Sequence, residues 1–286
     1  MTIASIETER GSAADRLHAD AGAAPAAGPA GGEPGWRARA GLVWTLVRTD
    51  FKVRYHGTLG GFVWALAKPL IMFVLLMGVF SFLFASNPTY KLDLIVGLFL
   101  WDFFAEGTRS GLGALHVKGF LLTKARLPAW ILVVTAISNA AITLTVFSVS
   151  IVVFLAVTGH APPIASLALF VLYAIALAVI VVGMSLGSSV LFLRYRDLNQ
   201  VWDLLIQAGF FLAPVIYPIS ILPEKFHFYL YLWPPTPVIE FARDVLVRGV
   251  VPTATAHLCL AGVAALTMAA GVVIFRALSP RAAEYL

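Results

Sequence analysis

Long runs of apolar residues, separated by short polar stretches, occupy most of the chain after residue 60. A membrane-spanning helix requires about 20 predominantly apolar residues in succession. Several of the runs exceed this minimum, which indicates helices that tilt or extend beyond the bilayer. The pattern therefore predicts an all-α integral membrane protein with six transmembrane helices, over residues 62–84, 92–115, 129–157, 164–193, 201–221 and 257–278.

Residues 41–56 precede the first run and follow a different pattern. Leu42 and Leu46 lie on one helical stripe, while Arg48 and Lys52, four residues apart, lie on another face. A helix with one apolar and one cationic face lies in the plane of the membrane surface. The pattern predicts an N-terminal interfacial helix on the cytoplasmic leaflet.

Two further segments are apolar in places but too short to span. Residues 221–249 are divided by a proline-rich stretch at 233–237, which predicts short re-entrant outer helices between the fifth and sixth spans. A helical hairpin that caps the bundle fits the same residues. Residues 114–127 form a basic cytoplasmic segment with apolar positions at 120–122, and this fits docking on a partner protein as well as contact with lipid.

The composition agrees with a bilayer as the main solvent of this chain. Hydrophobic residues make up 60% of the chain, charged residues only 12%, and the mean hydropathy is +0.88. Soluble domains carry about 25% charged residues. The first 40 residues differ, because they are rich in Ala, Gly and Pro. We therefore expect a disordered cytoplasmic tail over residues 1–40 and a membrane domain over residues 41–286.

The distribution of the net charge of +5 indicates orientation. Lys and Arg residues flank the first span, the second-to-third connection, the end of the fourth span and the end of the sixth, whereas residues 159–163 contain neither. Because cytoplasmic loops carry the excess of basic residues, both termini are predicted to be cytoplasmic. Anionic lipid accounts for these cations, so no nucleic-acid partner is expected.

No cluster of residues in the sequence resembles a catalytic or metal site. The six His residues are scattered, and there is no G-x-x-x-x-G-K-[ST] phosphate-binding loop. The sequence predicts a transport subunit rather than an enzyme, without a cofactor of its own.

Charges and aromatic side chains within the predicted spans are the candidates for function. Asp102, Glu106 and Arg109 share one helical face, which fits the lining of a pathway or a subunit seam, and a buried Glu106–Arg109 ion pair fits the same spacing. Aromatic faces suit a sliding sugar polymer, although packing explains any single one. Two Gly-x-x-x-Gly pairs, at 107/111 and 183/187, permit close helix approach. The pathway or gate candidates are Trp64, Phe73, Trp101, Asp102, Phe104, Glu106, Arg109, Phe211, Tyr217 and Trp233.

Several motifs resemble one family. Residues 46–57 (LVRTDFKVRYHG) and 61–70 (GFVWALAKPL) are similar to the opening of ABC-2 type permeases that export polysaccharides, the O-antigen and teichoic-acid group. The chain departs from the family at Thr123-Lys124, where paired lysines are usual, at Ala129-Trp130 and at Trp233-Pro234. The resemblance covers residues 41–286, and its later blocks follow in order at 97–104, 124–128, 195–200, 214–218, 222–225, 237–240, 275–281 and 284–286.

This resemblance implies a half-transporter in a bacterial cytoplasmic membrane. Two copies of the chain would form the pathway, and two copies of a separate ABC ATPase, which binds ATP and Mg²⁺, would drive export of a lipid-linked polysaccharide such as an O-antigen or a galactan. The ATPase would contact the interfacial helix and the first cytoplasmic loop. Its candidate contact residues are Arg48, Lys52, Arg54, Tyr55, His116, Lys118, Lys124 and Arg126.

Other functions stay open at this point. An ABC-2 permease for drugs or small lipids would share the same spans. A membrane glycosyltransferase would require a catalytic loop, and a non-transporting scaffold for glycan synthesis would require only the membrane domain.

Overall fold

The computed structural model describes residues 36–55, 61–121 and 127–282, and no β-strand occurs in these ranges. Residues from Val43 onward belong to one unit, and all contacts discussed below lie within it. The described α-helices are α1 (Trp36–Tyr55), α2 (Gly61–Leu83), α3 (Tyr90–Lys118), α4 (Ala129–Val157), α5 (Ile164–Arg194), α6 (Leu198–Leu212), α7 (Glu224–Tyr231), α8 (Pro235–Arg243) and α9 (Ala254–Ala282).

The start of the chain is described only from residue 36. The predicted interfacial helix corresponds to α1, which begins at Trp36 rather than at residue 41. Most of the predicted tail, and His56 at the end of the predicted interfacial helix, lie outside the described residues.

Four helices in the described ranges are long and apolar enough to cross a membrane. They are α2, α4, α5 and α9, with mean hydropathies between 2.2 and 2.8. These helices correspond to the first, third, fourth and sixth predicted spans. The all-helical membrane architecture is therefore confirmed, while the count of six spans stays a prediction.

Helix α3 corresponds to the second predicted span and is the most buried of the long helices in the described ranges. It packs against α4 and α5, and 20 of its 29 residues are buried. Its length of about 43 Å exceeds the hydrocarbon thickness. Asp93, Asp102, Glu106 and Arg109 make it more polar than the four apolar helices. Charged side chains are thus carried on the helix that the bundle surrounds.

The fifth predicted span differs from the structure. Helix α6 has 15 residues and is about 22 Å long, which is shorter than the hydrocarbon core of about 30 Å. Pro214 has no N–H and cannot continue the helical hydrogen bonds. The hydroxyl of Tyr90 donates to the carbonyl of Ile216 (2.9 Å), and Arg243 donates to the carbonyl of Val215 (2.9 Å). The prediction of one helix over 201–221 is wrong, because the helix ends at Leu212. The side chains of Tyr90 and Arg243 bind the backbone carbonyls that the interrupted helix leaves without partners.

Glycines set the closest contacts between helices. A Cβ on Gly183 of α5 would lie 2.7 Å from the backbone of Met268 in α9, and a Cβ on Gly271 would meet the carbonyl of Gly183. Added Cβ atoms on Gly107 and Gly111 of α3 would meet side chains of α5. The predicted close approach at 107/111 and at Gly183 is confirmed.

Two short helices occupy the connection between α6 and α9, as the proline-rich division predicts. Helix α7 has eight residues and exposes Phe226, Phe228 and Tyr229. All nine residues of α8 are buried, and α8 packs against α3 and α5. This burial favours the helical hairpin that caps the bundle, and the position of α7 and α8 relative to a bilayer stays a prediction.

Candidate functional site

The C-terminal half of α3, called its inner end after the predicted orientation (and the opposite end its outer end), is joined to α1 by two ion pairs. The ammonium of Lys118 contacts the carboxylate of Asp50, and the guanidinium of Arg54 contacts Glu106. The Lys118 and Asp50 side chains are 19% and 21% exposed, so water screens this pair less than an ordinary surface pair. Glu106 also accepts a hydrogen bond from the Ser110 hydroxyl at 3.3 Å. These contacts hold the second half of α1 against α3.

Arg109 extends the polar face of α3 toward α6. Its Nε lies 2.9 Å from Oδ1 of Asp203, and the two side chains are 40% and 41% exposed. The predicted Glu106–Arg109 ion pair is wrong, because each residue finds its partner on a different helix. Asp203 therefore anchors α6 to α3.

The other predicted coupling residues differ in exposure. Arg48 and Lys52 are exposed on α1, and no carboxylate in the described ranges pairs with them. Tyr55 is half-buried, and His116 is exposed near the end of α3. Outside the described residues lie Lys124 and Arg126.

Asp102 lines a polar cavity of about 170 Å³ between α1, α2, α3 and α4. The cavity brings charged groups from three of these helices together at the inner half of the bundle. Its polar side chains are Arg54, Tyr55, Lys68, Asp102, Glu106, Asn139 and Thr143.

Burial divides the predicted pathway aromatics into two groups. Phe73, Trp101 and Phe104 are 5%, 5% and 0% exposed, and the rings of Trp101 and Phe104 lie 5.5 Å apart. These three side chains pack the core in this conformation. Trp64 and Phe211 are each 67% exposed. A role in contacting a substrate stays a prediction for this exposed pair.

Tyr217 and Trp233 lie near the outer end of α6. The hydroxyl of Tyr217 donates to the carbonyl of Phe211 at 3.0 Å and so satisfies an acceptor at the helix end. The ring of Trp233 is 5.9 Å from Phe104, and a Cβ on Gly209 would lie 2.6 Å from the Trp233 ring. Both residues fix the outer end of α6.

A buried arginine ties the outer segments to α3. Arg243 is 1% exposed, and its Nε donates to the carbonyl of Asp93 at 2.8 Å. Its terminal nitrogens donate to Glu240 Oε1 at 2.7 Å and to the carbonyls of Val215 at 2.9 Å and Pro214 at 2.5 Å. One guanidinium therefore joins α3, the segment after α6 and α8.

Arg248 completes this outer cluster. Its guanidinium lies 3.2 Å from Glu240, 2.6 Å from Asp244 and 3.7 Å from Asp93. Burial raises the pKa of Asp244, and the neighbouring Arg248 opposes that shift. Burial and the carboxylates of Glu240 and Asp244 raise the pKa of Tyr231 to about 12, so its hydroxyl is neutral at physiological pH. The cluster is a connected network of charges at the outer end.

This cluster is not among the features that the sequence pattern predicts. Neither Arg243 nor Arg248 is among the residues singled out there for function. A signal was present, since Glu240 and Arg243 have helical i, i+3 spacing inside an apolar, proline-broken segment. Charges in such surroundings are costly unless they are paired.

In the part of the chain that the structure describes, no group of three or more His, Cys, Asp or Glu side chains converges on a metal-sized site. The candidate functional groups therefore lie at the two ends of α3. The inner end is joined to the amphipathic helix α1, and the outer end is joined to α8 and to the break after α6. This arrangement links the two ends of the bundle through one helix.

Comparison with known proteins gives the same class of molecule throughout. The profile described as ABC-2 type transporter matches residues 41–247. The chain is similar to the O-antigen export system permease protein RfbA of Klebsiella pneumoniae, with 28% identity over 209 residues, 73% of this chain and 81% of that protein. It is also similar to RfbA of Myxococcus xanthus (27% over 190 residues, 65% and 71%). The polysialic acid transport protein KpsM of Escherichia coli is 20% identical over 232 residues, 79% of this chain and 89% of that protein.

Proposed function

Because the chain belongs to the ABC-2 type transporter family, we propose that it is the permease subunit of an ABC exporter that moves a lipid-linked polysaccharide across the bacterial cytoplasmic membrane. The observation that carries this proposal is the match over most of the chain to permeases named for O-antigen export and polysialic acid transport. Both cargoes are polysaccharides. The lipid carrier and the exact glycan are finer features of the same proposal.

The energy would come from a separate ABC ATPase that binds ATP and Mg²⁺. The exposed cations Arg48 and Lys52 of α1, with His116 at the end of α3, offer a docking surface for it. Arg54 and Lys118 have a different role, because each already pairs with a carboxylate across the α1–α3 contact. They would transmit the movement of the ATPase from α1 to α3.

The pathway would form between two copies of the chain. The Arg109–Asp203 pair is about 40% exposed in one copy, although charged side chains within spans normally face a bundle interior or water. A second copy or a hydrated pathway beside α3 and α6 would cover this pair. With the termini on the cytoplasmic side, the cluster around Arg243 would lie at the exit.

A deletion strain tests the proposal against the alternatives. Loss of the gene should remove the polymer from the outer face and leave its lipid-linked form inside, and the restored gene should reverse both effects. Dye extrusion should be unchanged. Normal surface glycan together with impaired dye or lipid efflux would contradict the proposal and favour a permease for drugs or small lipids.

A further inference from the structure

A polar cavity and an apolar groove meet between α2 and α3. The cavity of about 170 Å³ is large enough to hold several waters. The neighbouring groove has a volume of about 290 Å³. Lys68, Pro69 and Asp102 line both spaces, so two opposite charges lie where they join. The other residues that line the groove are Ile71, Met72, Leu75, Leu98, Trp101 and Phe210.

The polar cavity holds hydrogen-bond acceptors that the described residues leave without donors. Asn139 is 7% exposed, and its Oδ1 has no hydrogen-bond partner there. No described side chain donates to Asp102 at hydrogen-bond distance. Pro69 has no N–H to donate to the carbonyl of Ala65, which also lines the cavity. These acceptors are satisfied only when the cavity holds a group or a cluster of waters that donates several hydrogen bonds.

One cation stands at the mouth of the cavity. Lys68 is exposed, and no carboxylate in the described ranges lies within ion-pair distance of it. Arg54 is not equivalent, because it already contacts Glu106. The junction therefore offers one cation, one carboxylate and a neighbouring apolar surface.

We propose that this junction binds an aminophospholipid of the cytoplasmic leaflet, with phosphatidylethanolamine as the simplest example. Its primary ammonium donates to Asp102, to Asn139 Oδ1 and to the Ala65 carbonyl, and its phosphate pairs with Lys68. One acyl chain lies in the groove against Ile71, Leu75 and Phe210. The lipid is a resident of the bilayer and not the exported cargo, so the site does not depend on the proposed function.

Other lipids fit the junction less well. An anionic headgroup without an ammonium, such as phosphoglycerol, would bring a net negative charge beside Asp102, and its hydroxyls would donate only neutral hydrogen bonds, which are weaker than those of an ammonium. A choline headgroup is cationic, but its trimethylated nitrogen has no N–H to donate. Water alone would satisfy the cavity and leave the groove unoccupied.

Native mass spectrometry of the full-length chain in detergent measures this preference directly. The probes are phosphatidylethanolamine, phosphatidylcholine and phosphatidylglycerol with the same acyl chains. We expect phosphatidylethanolamine to bind at least about tenfold more tightly than the other two, as the loss of a charged hydrogen bond predicts. Soluble phosphoethanolamine should not compete, because it lacks the chains that fill the groove.

Two variants assign the binding to the junction. Lys68→Gln changes an exposed side chain and should weaken the binding of all three lipids, because each carries the phosphate that pairs with this ammonium. Asp102→Asn keeps the side-chain shape and should remove most of the tenfold preference. The control Lys91→Gln, an exposed lysine at the other end of α3, should leave it unchanged. Equal binding of the three lipids, an unchanged preference in Asp102→Asn, or unchanged binding of all three lipids in Lys68→Gln would overturn the proposal. Neither result would bear on glycan export.

Discussion

At the residue scale, the outer end of the bundle depends on Arg243. A guanidinium has five N–H donors in a planar fork, and this one donates to a carboxylate on α8 and to backbone carbonyls on two other segments. It also needs Gly97 on α3, because a Cβ there would meet the guanidinium. A buried charge is tolerated only when its partners are in place. The break after α6 is thus held by one side chain.

Replacement of Arg243 by Lys should destabilise the protein although it keeps the charge. An ammonium is a compact charge without the planar fork of a guanidinium, so it cannot donate to the carbonyls of Asp93 and Val215 together. We therefore expect a loss of about 3–5 kcal/mol in the free energy of unfolding. The matched change Arg248→Lys, in a side chain that is 33% exposed, should cost less than about 1 kcal/mol. Thermal unfolding in detergent measures both. Equal losses in the two variants would contradict the role given to Arg243.

The sequence predicted some residues of this site and not others. The amphipathic pattern of α1 identified Arg48 and Lys52 as an exposed cationic face, because helical periodicity is a local property. The Arg243 cluster joins residues 150 positions apart, at Asp93 and Arg243, and no local pattern encodes that contact. The prediction of Arg109 as the partner of Glu106 was wrong for the same reason, since the observed partner, Arg54, is 52 residues away in the sequence.

At the element scale, α3 connects the inner and outer ends of the bundle. It contacts α1 through Asp50–Lys118 and Arg54–Glu106, and it contacts α8 through Arg243. Because α3 is buried between α4 and α5, it is a stiff connection. A displacement of α1 would therefore move α3 as a rigid unit and displace the contacts at its outer end.

Reversal of the Asp50–Lys118 pair tests this connection. Asp50→Lys or Lys118→Asp alone should place two like charges together and reduce glycan export by about tenfold or more. The double reversal should restore most of the export, with an interaction energy of about 1–3 kcal/mol in a double-mutant cycle on stability. Surface glycan in cells that express each variant gives the readout. The control Lys91→Asp, at an exposed position on α3, should export normally; single variants that match wild type would contradict the connection.

Close packing of α5 on α9 predicts an effect of side-chain volume. Gly271→Val should overpack the contact with the Gly183 backbone and cost about 1–3 kcal/mol or more. Gly262→Val on the same helix meets no atom within 4 Å and should be near neutral. Thermal unfolding compares the two variants, and a neutral Gly271→Val would show that the helices separate at this point.

The sequence predicted the long apolar helices correctly but not the end of α6. Apolar length identified α2, α4, α5 and α9, because their composition leaves few alternatives to a span. The end of α6 was missed, since apolar residues continue through Ile216 although the backbone is broken at Pro214. Apolar composition does not reveal that Tyr90 and Arg243 satisfy the freed carbonyls.

At the scale of the whole molecule, the described chain has two unequal parts. Helices α3, α4, α5, α8 and α9 pack closely on one another, whereas α2 and α6 contact this group sparsely and leave long apolar faces exposed. Val74 and Val79 on α2 and Leu204 and Phe211 on α6 are among these exposed residues. Such faces suit lipid or a second copy of the chain, as the proposed half-transporter requires.

Reconstitution into lipid vesicles tests the central claim most directly. The chain and its ATPase would be inserted together, and the appearance of lipid-linked glycan at the far face would be measured with ATP and Mg²⁺. The account predicts export only when both proteins and hydrolysable ATP are present. Export by this chain alone, or ATP hydrolysis by the complex without any movement of glycan, would contradict it.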